Sequence, residues 1–149
     1  MTIRKAIISD LPALISFQVA LAKESENLVL DSETLRLGIL SMFSDPSKGF
    51  YNVVEDEGQV IACHMITIEW SDWRNGMVWW LQSVFVLEAY RKKGVFRFMY
   101  ENLVKTIKHD PQVIGLRLYV DKSNQRAMKV YESMGMNGEH YTVYEWIKD

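Results

Sequence analysis

The sequence predicts a mixed α/β fold (an α+β mixed sheet), with a central, mostly antiparallel sheet and helices on both faces. Three observations predict it. Two helical segments are followed by a meander of extended segments over 50–87. The last of these, 77–87, is apolar on both faces, as a central strand must be. From there the chain alternates helix, strand, helix, strand, which is a crossover and requires a parallel pair.

The elements follow in order. Residues 2–7 alternate as a short strand. Ser9 is placed to cap a helix with Asp10 and Pro12 in its first turn. Leu11, Leu14, Ile15, Val19 and Ala22 then mark one helical face to about Glu26. Asp31 or Ser32 starts a second helix with Leu35, Ile39, Met42 and Phe43 inward, and Asp45-Pro46 ends it. Segments 50–55 and 59–70 flank Glu57-Gly58, a hairpin signal. A polar turn, Ser71 to Gly76, leads into strand 77–87. After Arg91-Lys92-Lys93-Gly94 a helix carries Val95, Phe96, Met99, Leu103, Val104 and Ile107 on its apolar side, until Asp110-Pro111 breaks it. Residues 113–120 read as a strand, Asn124 to Met134 as a helix closed by Gly135, and 139–147 as a last strand rich in aromatics. The order is β-α-α-β-β-β-α-β-α-β.

Composition bounds the function. The chain has 149 residues, 48% hydrophobic and 24% charged, which fits one globular domain over 1–149 and excludes a disordered chain. Net charge −2 gives no overall attraction to nucleic acid or an anionic membrane. Cys63 is the single cysteine, so a disulfide framework and a cysteine-rich zinc site are excluded, and no metal is expected. No apolar run reaches the ~18 residues of a membrane span, and no signal segment is evident. A cytoplasmic location is therefore expected.

Two segments carry chemistry. In 91–97, Arg91, Lys92, Lys93 and Arg97 surround Gly94 where a strand feeds a helix N-terminus. Unpaired first-turn N–H groups and the positive end of the helix dipole suit a phosphate there. It is neither a Walker loop nor a dinucleotide fingerprint, and a solvated basic turn is the plain alternative. In 119–135, Asn124 suits a helix cap, and Ala127, Met128, Tyr131 and Met134 share one side of the helix. A phenol such as Tyr131 can donate a proton to a leaving group, or it can simply pack in the core.

Together these segments resemble the GNAT superfamily of acyl-CoA-dependent N-acetyltransferases, and the element order is similar to that fold over nearly the whole chain. One motif is Val84-Phe85-Val86 followed by Arg91-Lys92-Lys93-Gly94-Val95-Phe96, and the other is Asn124, Ala127, Tyr131 and Gly135. The helix motif at 124–135 resembles the branch that acetylates diamines and lysine-like amines. The resemblance implies acetyl-CoA as co-substrate and no metal. It implies that the backbone of Val84, Phe85 and Val86 pairs with the pantetheine arm like an added strand. The N–H groups from Arg91 through Lys92, Lys93, Gly94, Val95 and Phe96 to Arg97 would hold the pyrophosphate. Asn124, with Ala127 beside it, would contact the cofactor arm, and Tyr131 would protonate the departing thiolate. Phe96 stands where the family has Gly or Ala, so its side chain must point away from the pyrophosphate. Relatives carry a carboxylate near the strand's end where this chain reads Leu81-Gln82-Ser83, so deprotonation of the amine passes to a water chain or to Glu69.

The acceptor implied is a small primary amine, a polyamine or lysine-like compound. Glu24, Glu26, Glu69 and the Trp-rich hairpin suit a cation. Protein or peptide N-acetylation and a silent acyl-CoA-binding module are the rival readings, and the resemblance also implies a homodimer. Cys63 and His64 alternate along a strand and so face opposite sides, which argues against a Cys–His nucleophile pair. Trp79 and Trp80 divide the same way, one to the core and one to an acceptor groove, which His140 and Tyr141 could also reach.

Overall fold

The computed structural model describes residues 1–149. Its elements are β1 (Thr2–Lys5), α1 (Leu11–Glu26), α2 (Ser32–Ser44), β2 (Phe50–Asp56), β3 (Gln59–Ser71), β4 (Gly76–Val86), α3 (Val95–His109), β5 (Val113–Arg117) and α4 (Gln125–Ser133). They fall into two compact units, Met1–Arg117 and Leu118–Asp149.

The first unit holds a five-stranded sheet in the order β1-β2-β3-β4-β5. Neighbours are antiparallel except β4 and β5, which run parallel because α3 carries the chain across between them. The β2–β3 hairpin turns at Glu57 (φ 49) and Gly58 (φ 81), two left-handed residues whose twist matches that of the strands they join. Strand alternation divides the core. Val53, Cys63, Tyr51 and Phe85 face α1 and α2, where they pack with Leu14, Phe17 and Ile39. Val54 and Ala62 face the other way, against Val95 and Met99 of α3. Each fully buried Val, Leu, Ile or Met side chain among them contributes about 1.5–3 kcal/mol.

Three expectations are corrected. Ser9 does not cap α1; it lies in a short 3-10 turn, Ile8–Asp10, and Asp10 precedes the helix. The Asp10 carboxylate instead accepts from Ile7 N–H and from Arg4, whose guanidinium also reaches Glu55 at 2.6 Å. A buried carboxylate takes the strongest donors in reach, which here lie behind the helix rather than in its first turn. β5 ends at Arg117, short of residue 120. Residues 139–147 form no strand. Their alternation supplies β propensity, but a strand exists only through ladder bonds, and no ladder forms there.

The second unit is built on α4. Asn124 caps it, its side chain accepting from Ala127 N–H at 3.1 Å. At the other end Gly135 is left-handed (φ 87), Gly135 N–H donates to Glu132 C=O, and Met136 N–H donates to Tyr131 C=O. This double closure is the one expected of a glycine just past a helix end.

His64 is fully buried on the α3 face, and burial pushes its ring down to about 4. The folded chain thus holds it neutral, while the unfolded chain binds a proton below about 6.5. Its contribution is intact above pH 6.5 and is lost as pH falls toward 4. Urea unfolding should therefore show wild type losing roughly 2 kcal/mol between pH 7 and pH 5 beyond any loss in His64→Gln. Parallel pH profiles for the two proteins would show that His64 does not titrate this way.

Candidate functional site

β4 carries one residue more than β3 permits. Cys63 pairs with Phe85 and Met65 with Gln82, so His64 alone stands opposite Ser83 and Val84. The surplus is absorbed at Ser83, which is left-handed (φ 51), and its carbonyl accepts from the Cys63 thiol at 3.7 Å. Such a bulge bends its strand and re-aims the side chains beyond it. On the other edge β4 pairs β5 only from Met77↔Val113 to Trp80↔Arg117. Beyond Trp80 the outer edge of β4, including Val84, Phe85 and Val86, has no ladder to β5. That edge offers backbone donors and acceptors to an extended ligand. Val86 C=O is already taken by Arg91 Nε at 2.9 Å, and Leu87 N–H donates to Ile61 C=O.

The chain then makes a short turn, Glu88–Tyr90, and enters the loop Arg91–Gly94. Lys92 (φ 63) and Gly94 (φ 80) are both left-handed. No atom lies within 4 Å of where a Gly94 Cβ would stand, so glycine serves the dihedral rather than the space. α3 starts at Val95 with no side-chain cap, so its first-turn N–H groups face the loop and the positive helix end adds to them. Alternating left- and right-handed residues before a helix form an anion-binding concavity.

The basic side chains divide. Arg91 is drawn back: its Nη2 donates to Glu24 of α1 at 2.8 Å, and its guanidinium lies over the Phe85 ring. Lys93 lies over the Tyr90 ring, Arg97 reaches Glu101 at 3.8 Å, and Lys92 is exposed. Val95 is buried. Phe96 packs on the α3-side core, its ring 6.4 Å from that of Tyr100, which directs its side chain along the helix rather than into the loop.

A polar cluster lies on the α1/α2 face at the last β4–β5 rung. Glu69 of β3 accepts from Arg117 Nη1 at 2.5 Å and from Trp80 Nε1 at 3.3 Å. Gln82 Nε2 donates to Thr67 Oγ1 at 2.8 Å. Arg117 and Trp80 are opposite each other in the ladder, so the carboxylate is fixed between two adjacent strands. Sequence reasoning missed Arg117, Ser83 and Thr67. Arg117 had a signal, one charge within the apolar run Val113–Leu118. Ser83 had none, because its role follows from the pairing of two strands.

In the second unit Asn124 spends its side-chain oxygen on Ala127 N–H, and Tyr131 lies on α4, where burial pushes its phenol up. The phenol thus stays protonated at neutral pH, the form a proton donor needs. Other candidates take structural places. Glu24 pairs with Arg91, Asp31 caps α2 by accepting from Thr34 N–H at 2.8 Å, and Glu26 is exposed. Cys63 and His64 do face opposite sides: Gln18 Nε2 donates to Cys63 Sγ at 3.7 Å, and burial pushes the thiol up to about 12, unsuited to nucleophilic use. Trp79 and Trp80 also divide, Trp79 against Phe50 and Trp80 toward Glu69. No three His, Cys, Asp or Glu side chains are placed to share a metal ion, and no helix is long and apolar enough to cross a membrane.

The sequence profile described as the acetyltransferase (GNAT) family matches residues 16–136. Among solved structures, a possible acetyltransferase from Clostridium difficile 630 is 39% identical, covering 99% of this chain and 97% of that one, with TM-score 0.94. A glucosamine-6-phosphate N-acetyltransferase from Arabidopsis thaliana is 22% identical over 99% of this chain and 98% of that one, TM-score 0.73. A predicted acetyltransferase from Clostridium acetobutylicum, solved with acetyl-CoA, is 17% identical over 97% and 95%, TM-score 0.74. The last two share the fold. No curated protein matches the chain by sequence.

The bulge reverses the usual strand preferences at one position. Ser83→Val should lower stability by about 1–2 kcal/mol, because a β-branched side chain resists positive φ, while Ser83→Gly stays within about 1 kcal/mol of wild type. Urea midpoints decide it; valine more stable than glycine at 83 would mean a regular strand there.

Proposed function

Because the chain belongs to the acetyltransferase (GNAT) family, we propose that it transfers an acetyl group from acetyl-CoA to the primary amine of a small molecule, with both substrates bound at once. The observation that carries this reading is the loop Arg91–Gly94, with left-handed Lys92 and Gly94 opening α3, directly after a strand whose outer edge is unpaired beyond Trp80. A pyrophosphate suits the loop, and an extended amide-bearing arm suits the strand edge. Acetyl-CoA supplies the activated thioester.

The residues divide the remaining work. The N–H groups from Lys92 to Arg97 bind the diphosphate, since that of Arg91 already donates to Glu88 C=O, and Lys92 and Arg97 add charge from exposed positions. Arg91 braces the loop through Glu24 and Val86. The backbone of Val84, Phe85 and Val86 orients the arm, and Asn124 and Ala127 meet its reacting end. Glu69, acceptor-only while ionised and held by Arg117 and Trp80, takes the proton of the amine directly or through water. Tyr131 gives its proton to the departing thiolate. Direct attack needs only this positioning and two proton transfers.

The arrangement also bears on the acceptor. Trp80 and Glu69 suit an ammonium group, but Arg117 offsets the Glu69 charge and Arg91 that of Glu24. A lysine-like acceptor with one cationic end fits this balance better than a long polyamine.

A thiol-release assay with acetyl-CoA and a panel of amines tests the reading. Lysine-like amines should be consumed faster than spermidine or a peptide N-terminus. Tyr131→Phe should lower kcat by about 10²-fold or more while acetyl-CoA binds as before. Unchanged kcat across the pH range would remove the acid role from Tyr131.

A further inference from the structure

α1 buries a carboxamide where an apolar side chain would be the ordinary choice. Gln18 is 7% exposed and stands one turn after Leu14, on the side of α1 that enters the core with Cys63 and Phe85. Burying such a group costs free energy unless it is hydrogen-bonded. Gln18 Nε2 donates to Cys63 Sγ at 3.7 Å, and the Cys63 thiol donates to Ser83 C=O at 3.7 Å. Two hydrogen bonds in series thus lead from α1 to the surplus residue of β4. Bonds to sulfur are individually weak, and bonds in a chain strengthen one another.

Ser83 is the part of β4 that most needs such a hold. It has no partner of its own in the β3 register, and its φ is 51. A non-glycine residue stays left-handed only where its surroundings over-determine it. The bulge disrupts the ladder at Ser83, and the Cys63 thiol meets its carbonyl instead. Two more residues of α1 hold the stretch that follows. Phe17 stacks on Phe85 with ring centroids 5.0 Å apart. Glu24 accepts from Arg91, whose Nε donates to Val86 C=O. α1 therefore reaches the end of β4 at Ser83, Phe85 and Val86, and Gln18 provides the contact that leads to the bulge itself.

On the reading of that edge as the seat of acetyl-CoA, we propose that Gln18 is a positioning residue. Acting through Cys63, it holds Ser83 in its left-handed conformation and so sets where Val84, Phe85 and Val86 stand. Gln18 itself is buried in the α1 core and acts on the cofactor only through this edge. An arm that pairs as an added strand needs donors and acceptors at strand spacing, so a displaced Ser83 moves every contact beyond it. The role separates affinity from stability. An apolar side chain of similar size at 18 fills the same core space and leaves only a weak sulfur acceptor unpaired, which folding tolerates. The edge, however, loses the bond that aims it.

Calorimetric titration with acetyl-CoA, paired with urea unfolding, tests this in Gln18→Leu, Gln18→Met, Cys63→Ala and the double variant Gln18→Leu/Cys63→Ala. Gln18→Leu and Gln18→Met should each bind acetyl-CoA about three- to tenfold more weakly than wild type, at an unchanged urea midpoint. Cys63→Ala should weaken binding to a similar degree. In the Cys63→Ala background Gln18→Leu should add nothing, because the path from residue 18 to Ser83 is already cut. Without cofactor, amide exchange over 83–86 should quicken in Gln18→Leu while the rest of the sheet keeps its rates. Wild type that binds no acetyl-CoA at about 1 mM overturns the cofactor reading and this role with it. Wild type that binds, with both residue-18 variants binding equally well, overturns the role of Gln18 alone. So does a loss of affinity that only tracks a loss of stability, or a full further effect of Gln18→Leu in Cys63→Ala.

Discussion

One surplus residue in β4, absorbed at Ser83–Val84, is the constraint on which the site depends. A regular β4 would keep its alternation to the end and stay in step with β3. With the bulge, Gln82 and Phe85 both face α1 and α2, although three positions separate them. Phe85 can then stack on Phe17, their centroids 5.0 Å apart, and carry Arg91 above its ring. Arg91 in turn ties Val86 to Glu24. The chain thus reaches the loop before α3 at a fixed angle, and the left-handed residues at 92 and 94 complete the turn. The non-glycine left-handed residue at 83 costs about 1–3 kcal/mol, which the packed cores on both faces must offset.

The sheet separates two kinds of polar chemistry. On the α1/α2 face, Glu69, Arg117 and Trp80 form a charged cluster at the last rung between β4 and β5. On the α3 face, the buried Asn52 and His64 side chains pair at 3.0 Å. Adjacent residues serve both sides, since each strand shows alternate side chains to opposite faces. Burial acts differently on the titratable groups. It holds His64 neutral, keeps the Cys63 thiol protonated and raises the Tyr131 phenol.

Much of the fold is legible in the sequence, because it is written in local patterns. The apolar run 77–87 marks the central strand, Glu57-Gly58 the hairpin, Gly94 the start of α3, and Asn124 and Gly135 the two ends of α4. The opposite facing of Trp79 and Trp80 needs only period two. Features set by distant pairing are not legible. The Ser83 bulge arises from the register of β3 against β4, and the Glu69–Arg117 pair spans 48 positions. The cap at 9–10 misleads because Arg4 and Ile7, not the helix, claim Asp10. The tail 139–147 shows the converse error: alternation is necessary for a half-buried strand but does not create the neighbour it needs. In the site, the residue types are legible and their commitments are not. Glu24 and Arg91 each read as ligand-facing charges, yet they hold each other.

The acetyl-transfer proposal rests on the Arg91–Gly94 loop and the freed edge of β4 forming one seat for acetyl-CoA. Isothermal titration calorimetry of the purified chain with acetyl-CoA tests it most directly. One site per chain is expected, with a dissociation constant in the micromolar range, about −8 kcal/mol. Clear weakening is expected in Gly94→Val, where a β-branched residue cannot hold φ 80. No heat of binding at about 1 mM acetyl-CoA, or equal affinity in Gly94→Val, would contradict it.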